Sequence, residues 1–325
     1  MAITLSQLAA ELGLSTSTVS RAFSHPERLT AETVSRVLAA AQRHAYQPNR
    51  FAKALTTGKS MNIGLVVPDI ANPFFPPLIK AAQHRARAHG YSVYVADGDE
   101  NPKEEWNQLT HFAGHVDGVV LCSPRMSTTK LREIPAQDRV ILVNREVPNM
   151  PCILIDSTVG MHQAVDHLVS LGHHEIAYIG GPARSWANTQ RRKAVLERCR
   201  HHGLEPALLG PYVSTHEAGV DAARKLGRTA VTAAIAFDDV LAVGLVSGLQ
   251  EAGLRVPEDL SVVGCDDVIT EHTAPPLTSV SGGAATAGRV AVDALLSSFE
   301  GGSIGASRTV LPTELVVRRS TGPAR

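Results

Sequence analysis

The sequence predicts a small all-α unit at the N-terminus, followed by an α/β core built on two parallel, doubly wound sheets. Within residues 1–46, three short stretches carry apolar residues at helical spacing. From residue 61 onward, apolar runs rich in β-branched residues alternate with segments of helix length, which is typical of parallel sheets covered by helices on both faces. The alternation begins again near residue 161, so we expect two subdomains in the core.

Charge is distributed unevenly along the 325 residues. The net charge is zero, yet residues 1–60 hold seven lysines and arginines against three glutamates, an excess of four positive charges. The rest of the chain holds 24 of the 31 basic residues and 28 of the 31 acidic residues. A basic N-terminal unit joined to a mildly acidic body predicts an anionic partner for the first 60 residues.

The spacing of the cysteines and the first residues of the chain bear on the cellular compartment of the protein. The four cysteines are scattered, with no Cys-x-x-Cys pair, and the chain opens without a basic stretch leading into a long apolar run. No segment is apolar enough to span a bilayer. We therefore expect a cytoplasmic protein with free thiols, no signal peptide and no membrane contact.

Three helices are predicted in the N-terminal unit from their capping residues. Thr4 and Gln7 form a capping box at the start of the first helix, and Gly13 ends it. Ser15 caps a second helix over residues 16–23, and Thr30 caps a third that ends near residue 45.

The first two helices have the spacing of a helix-turn-helix. Ala9 is small enough for a helix crossing, Gly13 suits the turn, and Val19 anchors the second helix. The second helix then exposes short hydroxyls and one arginine, a surface suited to a DNA major groove; these residues are Thr16, Ser17, Thr18, Ser20 and Arg21. The exposed polar face of an ordinary small helical bundle is the alternative.

In the core, the predicted strands and helices follow one another in order. The strands are 62–67, 91–96, 118–121, 140–143, 152–155, 176–180, 233–237, 260–265 and further strands near 309–318, and the clearest helices are 79–90, 239–252 and 286–299. In sheets of this kind, ligands bind beyond the carboxyl ends of the strands.

The residues that follow those strand ends combine aromatic rings with directional polar groups, although only 4% of the chain is aromatic. Aromatic rings can cover the C–H faces of a polyol, and Asp, Asn and Arg can bind its hydroxyls. We expect a small-molecule site formed by Phe74, Phe75, Ser123, Asn144, Arg145, Trp186, Arg191, Asp238 and Asp266.

No catalytic, metal or cofactor set is predicted. Gly301-Gly-Ser303-Ile-Gly305 matches the nucleophile-elbow pattern but follows a helix-like segment instead of a strand. His173-His174 and His201-His202 are adjacent, whereas helical metal sites use i, i+4 spacing. Asp238-Asp239 and Asp266-Asp267 are neighbours whose side chains should point in different directions. We therefore expect a protein that is not an enzyme.

The chain resembles the LacI/GalR family of transcriptional regulators over nearly its whole length. The resemblance is carried by ITLSQLAAELGLSTSTVSRAFSHPERLTAETVSRVLAAAQRHAYQPNRFAKAL and continues through IGLVVPDIANPFF, HVDGVVL, DHLVSLGHHEIAYIGGP and GCDDV. STSTVSRAF is similar to the family's recognition helix, and YQPNRFAKAL is similar to its hinge.

The family resemblance implies a domain organisation and a set of partners. It implies a helix-turn-helix headpiece at 1–46, a hinge at 47–60 and a core at 61–325 of the periplasmic-binding-protein type I fold. The N-lobe would hold about 61–156 plus 283–311, and the C-lobe about 157–282 plus 312–325. A homodimer, or a tetramer built from two dimers, would be associated with the nucleoid by binding a palindromic double-stranded operator. The implied DNA contacts are Thr4, Ser15, Thr16, Ser17, Thr18, Ser20, Arg21, Asn49, Arg50, Lys53 and Leu55.

The hinge segment has three readings. Gly58-Lys59-Ser60 looks like the end of a phosphate-binding loop, but Lys53 stands where that loop needs a glycine. A flexible tether is the second reading. The third is a helix of about nine residues, too short to be stable alone, that orders on DNA. There Leu55 would wedge into a minor-groove base step, as the family resemblance implies.

For the effector, the resemblance implies a sugar or sugar derivative. Arg191 and Asp266 match ligand-contacting positions of the family, and the Phe74-Phe75 pair is similar to that of the purine repressor. Ser185 and Ser281-Gly282 depart from the arginine and the Arg-Gln found in relatives at those places, which disfavours a purine-specific pocket. A nucleoside-responsive regulator is the alternative, and a solute-binding protein or hydrolase of the same shape is the alternative from another class.

Overall fold

The computed structural model describes residues 3–46, 59–299 and 307–325. The chain divides into two compact units, Met1–Ser60 and Met61–Arg325, each with buried apolar clusters of its own. Among the described residues, no helix combines the length and the apolar character needed to cross a bilayer.

Within residues 3–46, the N-terminal unit contains three α-helices and one 3₁₀ turn, at Pro26–Arg28. The helices are α1 (Leu5–Leu12), α2 (Thr16–Ser24) and α3 (Ala31–Arg43). Each predicted cap is present: the hydroxyls of Thr4, Ser15 and Thr30 accept backbone N–H groups three residues on.

The core of this unit joins all three helices. Leu8, Val19 and Val37 are fully buried within one cluster, and Gly13 makes the turn between α1 and α2 with a left-handed φ of 65°, a conformation that glycine adopts without strain. The third helix ends at Arg43, two residues before the predicted end.

The second unit begins with five parallel strands and three helices. These are β1 (Asn62–Val67), α4 (Phe75–Ala88), β2 (Ser92–Asp97), α5 (Pro102–Phe112), β3 (Gly118–Cys122), α6 (Thr128–Arg132), β4 (Val140–Val143) and β5 (Cys152–Asp156). A 3₁₀ turn at Gln137–Arg139 precedes β4. Alternate residues of β1 enter clusters on opposite faces of the sheet: Leu65 lies in one and Val66 in the other.

The pattern then restarts, as the sequence predicts. The next elements are α7 (Thr158–Ser170), β6 (Ile176–Ile179), α8 (Trp186–His201), β7 (Ala207–Leu209), α9 (His216–Leu226), β8 (Ala233–Ala236), α10 (Asp239–Glu251), β9 (Ser261–Asp266) and β10 (Thr278–Ser281). The chain ends with α11 (Ala284–Phe299), β11 (Arg308–Pro312) and β12 (Leu315–Val316). Strands β7 and β10 were not predicted, because they are short and carry no sustained apolar run.

Two six-stranded sheets result, with strand orders β11-β5-β4-β3-β1-β2 and β12-β10-β9-β8-β6-β7. We call the first sheet with its helices the N-lobe and the second the C-lobe. The predicted parallel sheets are confirmed, and one edge adds an antiparallel strand, because β12 pairs antiparallel with β10. Only Thr313 and Glu314 separate β12 from β11. The chain therefore continues from one lobe into the other and meets the second sheet from its opposite end.

Three crossings between the lobes lie side by side. The Thr313 hydroxyl donates to the carbonyl of Asp156 at 2.8 Å and accepts the N–H of Gly160 at 3.3 Å. The Ser281 N–H donates to the carbonyl of Glu314 at 2.8 Å. Hydrogen bonds thus tie the segments that connect the two lobes to one another.

Candidate DNA-reading helix and effector cleft

Helix α2 has one buried and one exposed face. Val19 and Ala22 are buried in the core of the N-terminal unit, which fixes the orientation of the helix. The residues left exposed are Ser15, Thr16, Ser17, Ser20 and Arg21. Burying the two apolar residues therefore turns short hydroxyls and a guanidinium outward, where base edges and phosphates could accept their hydrogen bonds.

Four predicted contact residues have hydroxyls engaged in hydrogen bonds at helix starts: Thr4, Ser15, Ser17 and Thr18. Thr18 is half-buried, and its Oγ1 lies 2.9 Å from the Oγ of Ser15. Thr4 is exposed, and its hydroxyl accepts the Gln7 N–H at 3.3 Å. These residues stabilise the helix starts and so position the exposed face. The other predicted contacts, Asn49, Arg50, Lys53 and Leu55, lie outside the described residues.

A small cavity lies between the carboxyl ends of the two sheets. Seven of the nine predicted effector residues line it: Phe74, Phe75, Ser123, Asn144, Arg191, Asp238 and Asp266. The remaining lining residues are Asn72, Glu100, Arg125, Ser185, Ala187, Ser214 and Phe237. Its volume is about 30 Å³, enough for a water molecule but too small for a sugar ring. Binding of a sugar would require the lobes to move apart.

An ion pair forms the centre of this cleft. Arg191 Nη2 lies 2.7 Å from Asp266 Oδ1, and both side chains are buried. Arg191 Nη1 also donates to the carbonyl of Phe237 at 2.5 Å, and the guanidinium stands 4.8 Å from the centre of the Phe237 ring. Burial raises the pKa of Asp266 to about 6, although the nearby Arg191 opposes the shift.

Asp238 connects the lobes. Its carboxylate caps α10 by accepting the Leu241 N–H at 2.9 Å, and it also accepts the Ser214 hydroxyl. Asn72, from the N-lobe, donates to Asp238 at 3.3 Å and to Ser214 at 3.1 Å. Burial is the main cause that raises the pKa of Asp238. Asn72 was missing from the predicted site, although it stands two residues before the predicted Phe74.

Asp239 points away from the cleft. Its carboxylate accepts the Ser279 hydroxyl at 2.6 Å and the Val268 N–H at 2.9 Å. Burial raises its pKa well above the ordinary value, and the nearby Asp266 adds to the shift. The prediction that Asp238 and Asp239 diverge is confirmed: one carboxylate bonds across the cleft and the other bonds to strand β10 and the loop after β9.

Four residues that line the cleft have a strained backbone. Glu100, Ser123, Asn144 and Asp266 have positive φ values of 50°, 44°, 52° and 110°. Non-glycine residues in this region cost about 1–3 kcal/mol each and are typical of ligand sites. Hydrogen bonds hold two of them in place, because Ser123 N–H donates to Val143 at 2.7 Å and Asn144 Oδ1 accepts Ile155 N–H at 3.0 Å.

The two aromatic neighbours Phe74 and Phe75 have a packing role beside their place at the cleft. Their rings meet edge to face, with centroids 5.1 Å apart, and both belong to the buried N-lobe cluster. Each is 5% exposed. Little of either ring is therefore open for stacking on a flat base.

Two predicted effector residues lie outside this small cavity. Arg145 lines a larger neighbouring cavity instead, because its backbone follows Asn144 at the end of β4 and its side chain points to the other side. Trp186 is half-buried against the N-lobe cluster that contains Leu121 and Met126. The structure also adds Arg125 and Glu100, an ion pair with a Nε–Oε2 distance of 2.5 Å.

Comparison with known proteins identifies relatives for both parts of the chain. The model of the lacI family of bacterial regulatory proteins matches residues 4–49, and that of the periplasmic binding protein-like domain matches residues 165–321. The HTH-type transcriptional regulator DegA of Bacillus subtilis is 32% identical, over 99% of this chain and 99% of its own length.

Solved structures agree with these matches over the full length. A crystal structure of the Lac repressor dimer bound to operator and the anti-inducer ONPF is 26% identical, with a TM-score of 0.87 over 99% of this chain and 100% of that one. The complex of the transcriptional regulator CelR with cellobiose is 29% identical, with a TM-score of 0.72 over 98% and 99%. With helix α2, the two-lobed core and a full-length relative above 30% identity in agreement, this chain belongs to the lacI family and is a DNA-binding transcriptional regulator rather than an enzyme.

Proposed function

We propose that two copies of the chain bind a palindromic operator in the cytoplasm, each with α2 in the major groove of one half-site. The observation that carries the proposal is the orientation of α2, whose apolar residues are buried while Thr16, Ser17 and Arg21 are exposed. A good bidentate base contact contributes about 1–3 kcal/mol of discrimination. The Lac repressor, similar over the whole chain, has been solved as a dimer on its operator.

In this proposal residues 1–46 are the headpiece, 47–60 the hinge and 61–325 the core. Asn49, Arg50 and Lys53 face the DNA backbone, and Leu55 enters the central minor-groove step. Unstacking that step costs a few kcal/mol, which the bend and its added contacts offset. A tetramer of four copies would contain two such dimers, each with its pair of hinges on one operator.

The effector is a sugar or sugar derivative that binds between the lobes. Arg191, Asp266, Asp238, Asn144 and Ser123 supply directional hydrogen bonds around a cleft whose walls are aromatic. The CelR complex with cellobiose supports a carbohydrate in a related protein. The packing of Phe74 and Phe75 into the N-lobe core speaks against a purine stacked between them.

Lobe movement couples the effector to DNA. The bonds from Asn72 to Ser214 and Asp238 join the lobes in the present state, and a ligand hydroxyl that replaces them changes the relation of the lobes. Each such bond contributes only about 0.5–1.5 kcal/mol. A complete switch from 1:99 to 99:1 needs about 5.5 kcal/mol of differential ligand affinity, so the effector must contact several of these groups at once.

Selection of bound duplexes from a random library tests the DNA proposal. Full-length protein should enrich a palindrome, and Arg21→Ala should weaken binding to it by about 1–3 kcal/mol while relaxing one position of each half-site. Arg28→Ala, which removes an exposed arginine in the turn after α2, is the matched control. It should leave the preferred DNA sequence unchanged. Enrichment of no sequence, or an unchanged preference in Arg21→Ala, would refute the assignment of α2.

Incubation of the same preparation with sugars and nucleosides separates the remaining alternatives. A regulator should bind without turnover, whereas a hydrolase would release product. A solute-binding protein would bind ligand without any effect on duplex affinity.

A further inference from the structure

A second, larger cavity adjoins the effector cleft. It has a volume of about 830 Å³ and lies beside the starts of α5 and α6. Arg125 lines both cavities. Asn144 lines the cleft while the next residue, Arg145, lines the larger space. One ligand could therefore occupy the cleft and extend into this outer cavity.

The outer cavity is strongly cationic. Its ten lining residues include five lysines and arginines and no carboxylate. Two of the five are neutralised, because Arg125 pairs with Glu100 at 2.5 Å and Lys130 pairs with Glu133 at 2.7 Å. Within residues 3–46, 59–299 and 307–325, no salt bridge neutralises the other three, Lys103, Arg145 and Arg184. The lining therefore carries an excess of positive charge, which the buried carboxyl of Glu105 partly balances near Arg145.

Arg145 is the most informative of these cations. Its Nη2 donates to Thr128 Oγ1 at 3.1 Å and to the Met126 carbonyl at 3.5 Å, but its buried Nε has no hydrogen-bond partner in the described part of the chain. Burial is the main cause that lowers the pKa of this guanidinium. A buried donor of this kind is normally satisfied, and an anion in the cavity would supply both the acceptor and the missing charge.

The other lining residues of the outer cavity suit the body of a small polar molecule. Lys130 Nζ lies 3.6 Å from the centre of the Trp106 ring, which fixes the indole at the rim of the cavity. Ser127 and Asn107 also line it. A ligand with hydroxyls and an anionic group would find an aromatic surface, neutral hydrogen-bonding groups and cations within one space.

We propose that the outer cavity binds a phosphate group, held by Lys103, Arg145 and Arg184, next to the effector cleft. A phosphate carries close to two negative charges at neutral pH and three strong acceptor oxygens, and arginines hold it through paired, charge-assisted hydrogen bonds. The inference rests on the proposed function, because it assumes a sugar effector in the cleft. That effector would either carry the phosphate as an ester or bind together with a free phosphate ion. The polyol would occupy the cleft, and the phosphate would lie in the outer cavity.

The two tryptophans of the chain provide the signal for a test, because Trp106 lines the outer cavity and Trp186 lies beside the cleft. Full-length protein is titrated at low ionic strength with inorganic phosphate, with glucose 6-phosphate and ribose 5-phosphate, and with glucose and ribose. The Trp186→Phe protein leaves Trp106 as the single reporter. A saturable change with a phosphate-bearing probe is expected. A response to the esters that exceeds the response to inorganic phosphate identifies a sugar phosphate, and the reverse order identifies the free ion.

Charge variants locate the site. The double variant Arg145→Gln/Arg184→Gln should bind the phosphate-bearing probe at least tenfold more weakly than wild type. The conservative variant Arg145→Lys should lose less affinity. The control Arg192→Gln/Lys193→Gln removes two exposed charges from α8 and should retain wild-type affinity. Circular dichroism and the melting temperature verify folding, and if the double variant does not fold, Lys103→Gln replaces it.

Two results would overturn the inference: affinity for every phosphate-bearing probe within twofold of wild type in the folded variants, or no saturable response to any such probe in the unaltered protein. Operator binding is measured in parallel, with and without each probe. If the unaltered protein binds no duplex under either condition, the proposed function is refuted, whatever the phosphate titrations show.

Discussion

Arg191 and Asp266 form a buried ion pair, with 2.7 Å between Nη2 and Oδ1, at the point where the two lobes face each other. Arg191 comes from helix α8, whereas Asp266 ends strand β9 with a strained, positive φ of 110°. Both groups line the cleft. The pair therefore links the fold of the C-lobe with the chemistry proposed for the effector.

Arg191→Ala should abolish the effector response and leave operator binding intact. The change removes a donor from the cleft and leaves a buried carboxylate unpaired, which typically destabilises a protein by about 3–5 kcal/mol. Differential scanning fluorimetry with and without the effector measures both the loss of stability and the loss of the ligand response. The neighbouring exposed Arg192→Ala should behave like wild type, and a normal ligand-induced shift in Arg191→Ala would contradict the assigned cleft.

Asp266 should make stability depend on pH in the acid range. Because its pKa is raised to about 6 in the folded protein, its favourable contribution is complete below the ordinary pKa near 4 and is lost as the pH rises through 6. The free energy of unfolding of wild type minus that of Asp266→Asn should fall by about 3 kcal/mol between pH 4 and pH 7. Urea unfolding of both proteins at several pH values measures this difference. A difference that stays constant with pH would show that the pKa of the Asp266 carboxyl is not raised.

Leu55→Ala should abolish specific operator affinity while the core remains folded. The reason is the proposed wedge, whose removal takes away the contacts that offset base unstacking. Gel-shift titration with a palindromic duplex and circular dichroism provide the two measurements. Leu38→Ala, which truncates an exposed leucine of α3 that is 47% accessible, is the control, and operator binding by Leu55→Ala at the wild-type level would rule out the wedge.

Gly160→Ala should destabilise the core by about 1–3 kcal/mol through overpacking. An added Cβ would stand 2.3 Å from Val280 Cγ1 and 2.8 Å from Thr313 Oγ1, within the crossings between the lobes. Gly227→Ala is the matched control, since its Cβ would meet nothing nearer than 3.6 Å and its φ of −59° suits alanine. Chemical denaturation compares them, and equal stabilities would mean that the crossings tolerate the added methyl group.

The predicted site was partly right because strand ends are a local feature. Asn144 and Asp238 directly follow apolar runs, and Phe74 stands in the loop after another. Parallel strands bring such ends to one edge of a sheet. Arg125 and Glu100 escaped notice because their importance lies in a pairing across 25 residues, which no local pattern reveals. The hinge residues Asn49, Arg50, Lys53 and Leu55 stay predictions.

The sequence by itself determined the helix starts at Thr4, Ser15 and Thr30, the apolar strands and the family. Capping and apolar periodicity act over a few residues and can be recognised before folding. Only the tertiary structure decided that β12 runs antiparallel, that Asn72 bonds across the cleft, and that the adjacent residues Asn144 and Arg145 line different cavities. Those features depend on where segments far apart in the chain pack together, and packing settles them only when both lobes have formed.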